Sequence, residues 1–347
     1  MTRRLAACAL AAAALLVAGC RDTADSTSTG GDTLTVYSIL PMEGPTALAA
    51  RDIVDGEKLA LREAHGQVGP LTINFRAVNS AEDKRVTEGS AAAAARKGAQ
   101  DPSAIAAIGA LSAVEARVEI PILNEASVGL LTPAVTELDL TEPRLYPSGP
   151  RTFSRVIGDD AEQARVVRAL AEQRACRRLV TLEGPDTGER MLAEQVGGAR
   201  LPLARATEVP HGACVFLASS APKAAARAAR ALGARQVFAP AALATEAFAR
   251  RLGPAERSVT LLVPLPQAGA RVADAFARTF GRRPRREGLL GYDAMRAVLQ
   301  AVREAGNRGN DRAAVARRLL RANSDGWGTS RVRGGRLLPA VDRAPTF

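Results

Sequence analysis

The sequence predicts an α/β protein built from two successive series of strands and helices. Short apolar segments alternate with longer segments whose apolar residues recur at helical spacing, first over 34–131 and again over 160–280. Such alternation is typical of parallel sheets joined by right-handed crossovers. The strand segments are almost uniformly apolar, as expected of strands that helices cover on both faces. A chain of 347 residues is long enough for two medium-sized domains.

The N-terminus predicts export. Arg3 and Arg4 precede an apolar run at 5–19, which is shorter than the roughly 20 residues that a membrane-spanning helix needs. A basic pair, a short apolar run and small residues at its end are typical of a secretory signal peptide, here residues 1–19. The string VAGC, which ends at Cys20, resembles the lipobox of bacterial lipoproteins, whose cysteine is lipidated. A plain secretion signal with a coincidental cysteine is the alternative.

Residues 20–33 are rich in Asp, Ser, Thr and Gly and lack apolar periodicity, which predicts a flexible tether. The first folded lobe is expected to begin at Leu34. Acyl chains on Cys20 would hold the protein on the membrane surface, in the periplasm or on the outer face of the cell.

The net charge of +11 raises the question of a nucleic-acid partner. Only four of the 47 basic residues are lysine, and the arginines are scattered along predicted helices. They are not interleaved with aromatic residues, as single-strand binding would require. Because the chain is also predicted to be exported, no nucleic-acid partner is expected; an orientation toward anionic lipid headgroups stays open.

The elements follow in order. The first series has strands LTVYSIL, LTINFRAV, AIAAIG and VGLL, with helices over 46–66, 81–100 and 112–126. The segment RLYPSGPRTFSRVI, with two prolines, then interrupts the pattern and is interpreted as a crossing between domains. The second series has strands 178–183, 213–218, 235–239 and 258–263 and helices 160–174, 188–196, 221–232, 245–252 and 270–280. Helices 290–305 and 311–321 and a strand pair around TSRV and RLLPA complete the chain.

No familiar catalytic or metal-binding pattern is present. His65 and His211 have no neighbouring cysteine or carboxylate at ligand spacing, so no metal site is predicted. The phosphate-binding and nucleophile-elbow motifs are absent, and no cofactor is expected. Ser220 and Lys223 have the S-x-x-K spacing of serine acylases, although Ser-Ala-Pro is also an ordinary helix start. The protein is therefore predicted not to be an enzyme, with hydrolysis at Ser220 as an alternative.

Two strand ends have the pattern of an anion-binding site. AIAAIG leads to Ser112 at a helix start, and VGLL leads to a turn that contains Val135 and Thr136. Ligands of doubly wound sheets bind at the carboxyl ends of the strands, and N–H groups at helix starts bind carboxylates. Helix capping without a ligand is the alternative for the same residues.

Longer stretches resemble the solute-binding lipoproteins of ABC transporters for branched-chain amino acids, the leucine-binding type of the type I periplasmic binding protein fold. These stretches, which span most of 34–322, are DIVDGEKLALREA, ARKGAQDPSAIAAIGALSA, EIPILNEASVGLLTPAVTELDLT, RTFSRVIGDDAEQA and GYDAMRAVLQAVREAG. The resemblance implies two Rossmann-like lobes with parallel sheets, joined by a three-strand hinge. It places the first lobe at 34–152 plus 288–322 and the second at 153–287 plus 323–347.

The resemblance also implies a ligand site between the lobes. The carboxylate-binding turns of the family fall on Ser112-Ala113 and on Val135-Thr136. A small ligand held there is expected to be an amino acid or a related carboxylate.

The second lobe departs from the family pattern. Thr187-Gly188 stands where relatives usually have Tyr-Gly, so Thr187 replaces an aromatic wall of the site. Ala242 stands where relatives often have an acid that holds the ligand's ammonium group. Loss of that acid matters because a buried ammonium without a counter-charge is costly. Glu183 or Asp186 in the neighbouring turn is the candidate replacement.

The second lobe is also expected to be trimmed. Relatives have a helix before its third strand, whereas here LARATEV runs almost directly into HGACVFLASS. Parallel neighbours need a longer crossover, so LARATEV is expected to be a frayed edge segment. Cys176 and Cys214 precede strands that the fold would make adjacent, which favours a disulfide if their Cα atoms lie within about 7 Å. Two separate buried thiols are the alternative.

Two functional hypotheses follow. The leading one is a monomeric, extracytoplasmic solute-binding lipoprotein that delivers its ligand to a membrane permease of an ABC importer. The alternative is a diverged sensing or interaction lipoprotein that no longer serves transport, which the trimmed lobe and the missing acid favour.

Overall fold

The computed structural model describes residues 27–322, 324–340 and 342–344. The predicted signal peptide and the lipidation site at Cys20 lie outside these residues. Within the described part of the chain, no helix has the length and apolar character to cross a membrane.

The elements are numbered in chain order. The first part of the chain contains β1 (Thr33–Leu40), α1 (Ala47–Glu63), β2 (Gln67–Val68), β3 (Leu71–Asn79), α2 (Glu88–Gln100), β4 (Ala104–Gly109), α3 (Ala113–Glu125), β5 (Gly129–Thr132) and β6 (Phe153–Arg155). Next come α4 (Asp160–Gln173), β7 (Leu179–Glu183), α5 (Thr187–Val196), β8 (Ala199–Pro202), β9 (Cys214–Ala218), α6 (Pro222–Leu232), β10 (Val237–Ala239), α7 (Glu246–Leu252) and β11 (Val259–Pro264). The last part contains α8 (Ala270–Phe280), α9 (Arg286–Glu304), α10 (Arg312–Leu319), β12 (Trp327–Ser330), β13 (Val332–Arg333), β14 (Arg336–Leu337) and β15 (Asp342–Arg343).

Two sheets form the centres of two lobes, which confirms the predicted fold class. The first sheet has the order β2-β3-β1-β4-β5-β6 and is parallel except at the β2–β3 pair. Helices α1 and α9 cover one of its faces, and α2 and α3 cover the other. The buried strands are apolar on both faces for this reason, as in Ile105 and Ile108 toward α9 and Ala107 toward α3.

The second sheet has the order β15-β12-β11-β10-β9-β7-β8. Strands β7 to β11 are parallel, and β12 and β15 run antiparallel at one edge. Helices α6 and α7 pack on one face and α4 and α5 on the other, so alternate residues of β9 enter two different cores: Val215 and Leu217 on one side, Phe216 and Ala218 on the other.

Three neighbouring chain segments connect the lobes. The first follows β6, the second follows β11, and the third precedes β12. The second and third are joined by the Leu265 N–H, which donates to the Gly326 carbonyl at 3.0 Å. The first and third meet at Gly158, where an added Cβ would lie 2.5 Å from Trp327 Nε1. These contacts form the three-strand hinge that the resemblance implies.

Two elements near the hinge lie on the other side of the predicted lobe boundaries. Strand β6 begins at Phe153, the first residue assigned to the second lobe, yet it completes the first sheet. Helix α8 was also assigned to the second lobe, but Val272 and Phe276 are buried in the first core, against α1 and α9. Amphipathic spacing predicts that a helix has a buried face without specifying which lobe covers it.

The tether is shorter than predicted. The Thr27 hydroxyl donates to Asp311 Oδ1 at 2.6 Å, and the Arg312 N–H donates to the Thr27 carbonyl at 2.9 Å. The Thr29 N–H adds a bond to Asn310. Residues 27–29 are therefore attached to the start of α10, which a polar composition alone does not reveal.

The trimmed crossover has a different form from the one expected. ARLP forms edge strand β8, parallel to β7, and the LARATEV segment is mostly a 3-10 helix at Leu203–Glu208. Leu203 and Ala206 pack in the core with α6. A short 3-10 helix thus replaces the usual crossover helix, and the expectation of a frayed segment was wrong.

Candidate functional site

A pocket lies between the lobes, beside the hinge. Its lining comes from the turn after β5 and from four places in the second lobe: the starts of α4 and α5 and the ends of β9 and β10. The lining residues are Thr136, Glu137, Asp160, Gln163, Asp186, Gly188, Glu189, Leu192, Ser219, Ser220, Pro240 and Ala242. The empty volume is about 350 Å³, including space open to solvent. Strand ends from both sheets therefore converge at the place where α/β folds bind ligands.

The lobes touch across this pocket. An added Cβ on Gly188, at the start of α5, would lie 3.3 Å from Cγ of Glu137 and 3.7 Å from Nη2 of Arg117. Glu137 and Arg117 belong to the first lobe. The lack of a side chain at Gly188 thus allows the lobes to approach closely.

The start of α3 is occupied by a carboxylate of its own helix. Glu115 Oε2 accepts hydrogen bonds from the Leu111 N–H and the Ser112 hydroxyl, both at 3.0 Å. Glu115 Oε1 accepts from the Ser80 hydroxyl at 2.9 Å. The side chain is 1% exposed, so these donors are bound inside the lobe. Burial raises the pKa of Glu115, while the hydrogen bonds from Ser80, Ser112 and Leu111 oppose the rise.

The turn after β5 is arranged in a similar way. The Val135 N–H donates to Thr132 Oγ1 at 3.2 Å, and the Thr136 N–H donates to Glu137 Oε2 at 3.1 Å. Arg155 stabilises the turn, because its guanidinium donates to the carbonyls of Val135, at 2.9 Å, and Glu137. The turn thus satisfies its own donors.

On the second-lobe side, Glu189 joins α5 to the end of β9. Its Oε1 accepts from the Ser220 N–H at 2.6 Å and from the Ser220 hydroxyl at 2.9 Å. Asp186 caps α5 by accepting the Gly188 N–H at 2.8 Å, and Glu189 forms the other half of this capping box. The Ser220 hydroxyl thus donates to a carboxylate, while the S-x-x-K hypothesis requires it to interact with Lys223.

Asp160 is held in the pocket wall by a side-chain bridge. Gln163 Nε2 donates to Asp160 Oδ1 at 3.0 Å, and Gln163 Oε1 accepts the Ala241 N–H at 2.7 Å. The Asp160 N–H donates to the Thr136 carbonyl at 3.0 Å, which ties the start of α4 to the first lobe. Asp160 is only 4% exposed, yet it lines the pocket.

Four carboxyl groups therefore surround one pocket, at Glu137, Asp160, Asp186 and Glu189. None of them forms a salt bridge with a residue in the described part of the chain. Burial raises the pKa of Asp160 to about 7; Glu137 adds to the rise, and Thr136 and Arg155 oppose it. Burial likewise raises the pKa of Glu137.

The predicted site residues divide into two groups. Thr136 and Asp186 line the pocket. Ser112, Ala113, Val135, Thr187 and Glu183 are not among its lining residues; Ser112 and Val135 take part in the internal hydrogen bonds described above.

Glu183 and Thr187 have partners elsewhere. Glu183 lies 3.8 Å from Arg200 on the neighbouring strand β8, so its carboxylate is directed along the sheet. Thr187 is exposed at the start of α5 and accepts a hydrogen bond from Arg190 at 3.2 Å. Neither restores the acid that Ala242 lacks.

Sequence inspection missed Glu115, Glu137, Asp160 and Glu189. The sequence does contain a pattern that indicates the position of two of them, Glu115 and Glu189. S-x-x-E at 112–115 and D-x-x-E at 186–189 both have the spacing of a capping box, which predicts that the glutamate folds back onto the helix start. Glu137 and Asp160 depend on the meeting of the lobes, which local spacing does not specify.

Cys176 and Cys214 are joined by a disulfide, with their Cα atoms 5.7 Å apart. It links the approach to β7 with the first residue of the neighbouring strand β9. The pocket residues Ser219 and Ser220 follow the opposite end of β9, so the disulfide is remote from the pocket.

A larger groove lies between α1, α9 and α10 of the first lobe and reaches the hinge. Its empty volume is about 1860 Å³, much of it solvent, and its charged lining mixes Arg296, Arg303, Arg318 and Arg321 with acidic residues. Val156 and Gln267, from the hinge segments after β6 and β11, also line it. No cluster of three metal-ligating side chains occurs in the residues that the structure describes.

No protein-family model matches this sequence, and no curated protein sequence matches it. Solved structures do match. The leucine-binding protein LivK of Thermotoga maritima has a TM-score of 0.69 at 18% identity, over 88% of this chain and 97% of that one. The substrate-binding protein LivJ of Streptococcus pneumoniae, in complex with isoleucine, has a TM-score of 0.69 at 15% identity, over 90% and 100%. A solute-binding protein of an ABC transporter from Rhodopseudomonas palustris, in complex with benzoate, has a TM-score of 0.66 at 18% identity, over 90% and 98%.

At identities this low, the structural matches establish a shared fold and nothing more. The matches extend over nearly the whole of each solved chain, so both lobes and the hinge between them are included. This chain therefore has the fold of a leucine-binding-protein-like type I periplasmic binding protein.

Proposed function

We propose that this protein is an extracytoplasmic solute-binding lipoprotein of an ABC importer. It captures a small molecule between its lobes and presents it to a membrane permease. Cys20 carries the lipid anchor, the protein acts as a monomer, and it performs no chemistry on its ligand.

The observation that supports this proposal is the pocket between the lobes. Thr136 and Glu137 approach it from the first lobe, and Asp160, Gly188 and Ser220 approach it from the second. A ligand that touches both groups stabilises the closed form, because only that form offers both sets of contacts. The lobe-to-lobe contact at Gly188 lies at the same place, so ligand capture and closure are coupled.

A thermal-shift screen tests this function. The purified protein is heated with single members of a library of amino acids, aromatic acids, amines and amides. A ligand present at 100 times its Kd stabilises the native state by about 2.7 kcal/mol, which raises Tm by a few degrees. We expect a raised Tm with one chemical group of compounds. An unchanged Tm across the library would contradict the proposal and favour the sensing or interaction alternative.

The same screen gains a control from Gly188→Trp. The tryptophan side chain would stand where Gly188 meets Glu137 and Arg117, and it would hold the lobes apart. A compound that binds between the lobes should lose its effect on Tm in this variant. A compound that binds in the larger groove between α1, α9 and α10 should keep it.

A further inference from the structure

At three strand ends that could offer donors to a carboxylate ligand, the donors already bind carboxylates of the protein; two of these ends, at Thr136 and Ser220, line the pocket. The Ser112 hydroxyl donates to Glu115, the Thr136 N–H donates to Glu137, and Ser220 donates to Glu189. In each case the protein places its own carboxylate at an anion-binding position. A ligand carboxylate would have to displace one of these groups.

The remaining polar surface of the pocket accepts hydrogen bonds. A carboxylate has two oxygens and about four lone-pair sites. Glu137 accepts the Thr136 N–H, and Asp160 accepts from Gln163 and from the Thr136 side chain, so each carboxyl group retains unused lone pairs. Asp186 also lines the pocket, and its bond to Gly188 uses Oδ1 alone.

Arg155 and Arg117 act on Asp160 and Glu137 through space, but neither forms a salt bridge with them. Arg155 donates to main-chain carbonyls, and Arg117 is paired with Asp139 at 2.8 Å. Asp160 is the clearest case, because it is 4% exposed, lines the pocket and forms no salt bridge with a described residue; Arg155 acts on it only through space. A buried acid without a counter-charge is costly, and a bound cation would remove that cost.

We infer that the ligand is a small organic cation without a carboxylate, an amine or a guanidine whose charged group binds between Glu137 and Asp160. This inference rests on the proposed solute-binding function and names its ligand class. Glu137 contributes from the first lobe and Asp160 from the second, so the cation joins the lobes. A carboxylate on the same molecule would be repelled by the carboxyl groups that surround the pocket.

Matched pairs of compounds test the inference. Calorimetric titration of the purified full chain compares arginine with agmatine, lysine with 1,5-diaminopentane, and leucine with 3-methylbutylamine. Each pair differs by one carboxylate. We expect at least one amine to bind, with an affinity about tenfold or more above that of its amino acid. Benzoate serves as an anion without an amine and should not bind.

Variants identify the groups responsible. Asp160→Asn and Glu137→Gln keep shape and an acceptor oxygen but remove charge, and each should weaken amine binding about tenfold or more. Glu172→Gln removes the same charge from an exposed position on the same helix as Asp160 and should leave affinity unchanged. Circular dichroism and Tm establish that each variant is folded.

The outcomes separate the two proposals. An amino acid or benzoate that binds as tightly as the matching amine overturns the cation inference and leaves the solute-binding function in place. Amine binding that survives in both Asp160→Asn and Glu137→Gln also overturns it. Absence of binding by every compound overturns the inference, and a hit of another class in the thermal-shift screen would then still support solute binding.

Discussion

Glu115 folds back onto Ser112, the residue that caps its own helix, and accepts the serine hydroxyl at 3.0 Å. The Ser112 oxygen in turn accepts the Glu115 N–H at 3.3 Å. The pair closes the start of α3 from within the protein, at a position that the resemblance assigns to a ligand carboxylate. This exchange of an external anion for an internal one changes which ligands the fold can accept.

Removal of the internal anion should weaken the first lobe. Glu115→Ala leaves Leu111, Ser112 and Ser80 without their acceptor and creates a small cavity, which we expect to cost about 2–4 kcal/mol of unfolding free energy. Urea unfolding followed by circular dichroism measures this. Glu125→Ala, at the exposed end of the same helix, is the control. Equal stability of the two variants would show that Glu115 has no structural role.

Binding of a cation should release a proton from the pocket. The pKa of Asp160 is raised to about 7, so near neutral pH a substantial fraction of this carboxyl is protonated, and a bound amine lowers its pKa. At pH 7 we expect release of up to about half a proton per ligand. Calorimetry in buffers of different ionisation enthalpy measures the number, and Asp160→Asn should remove most of it. A heat of binding that is independent of the buffer would contradict this assignment.

The disulfide should stabilise the second lobe without changing the affinity for the ligand. It closes a loop of sequence separation 38, for which chain entropy predicts about 3–4 kcal/mol. Cys176→Ser with Cys214→Ser, or reduction of the native protein, should lower the urea midpoint accordingly. Affinity should remain unchanged, because the bond lies at the far end of β9 from Ser220. A large loss of affinity on reduction would show that the two ends of the strand are coupled.

Sequence patterns identified the elements well and the site less well. Helix α1 was expected at 46–66 and lies at Ala47–Glu63; α4 was expected at 160–174 and lies at Asp160–Gln173. Such helices are specified locally, by apolar spacing and by caps such as Asp159, which accepts the Glu162 N–H. Short β8, with four residues and little burial, carries no comparable signal.

The site depends on contacts between distant parts of the chain. Gln163, which holds Asp160, accepts the Ala241 N–H across 78 residues of sequence, and Gly188 meets Glu137 across the two lobes. No local pattern encodes such meetings. The glutamates three residues after Ser112 and Asp186 are the exception, because their spacing alone indicates that the nearby donors are already satisfied.

A buried acid in the first lobe makes stability depend on pH. Burial raises the pKa of Glu57 from 4.5 to about 8, with Ser38 and Lys58 opposing the rise. Between these two pH values the folded state holds one more proton than the unfolded state. The stability that protonated Glu57 contributes is therefore fully present below about pH 4.5 and is lost as pH rises to about 8. The unfolding free energy of Glu57→Gln should therefore fall less steeply with pH than that of the native protein, by about 1.4 kcal/mol per pH unit in this window.

Unfolding free energies at pH 5, 6, 7 and 8 measure the effect of Glu57→Gln. Glu194→Gln, an exposed acid on α5, should leave the pH profile unchanged. Equal slopes for Glu57→Gln and the native protein would show that Glu57 is charged and solvated in the folded state.

The most direct test is native mass spectrometry, which detects a small molecule that stays bound to the gently purified protein. The same measurement on Gly188→Trp is the comparison. We predict a low-mass passenger on the native protein and its disappearance from the folded variant, whose lobes cannot close. A passenger of equal occupancy on both proteins would place the ligand outside the cleft and contradict the account.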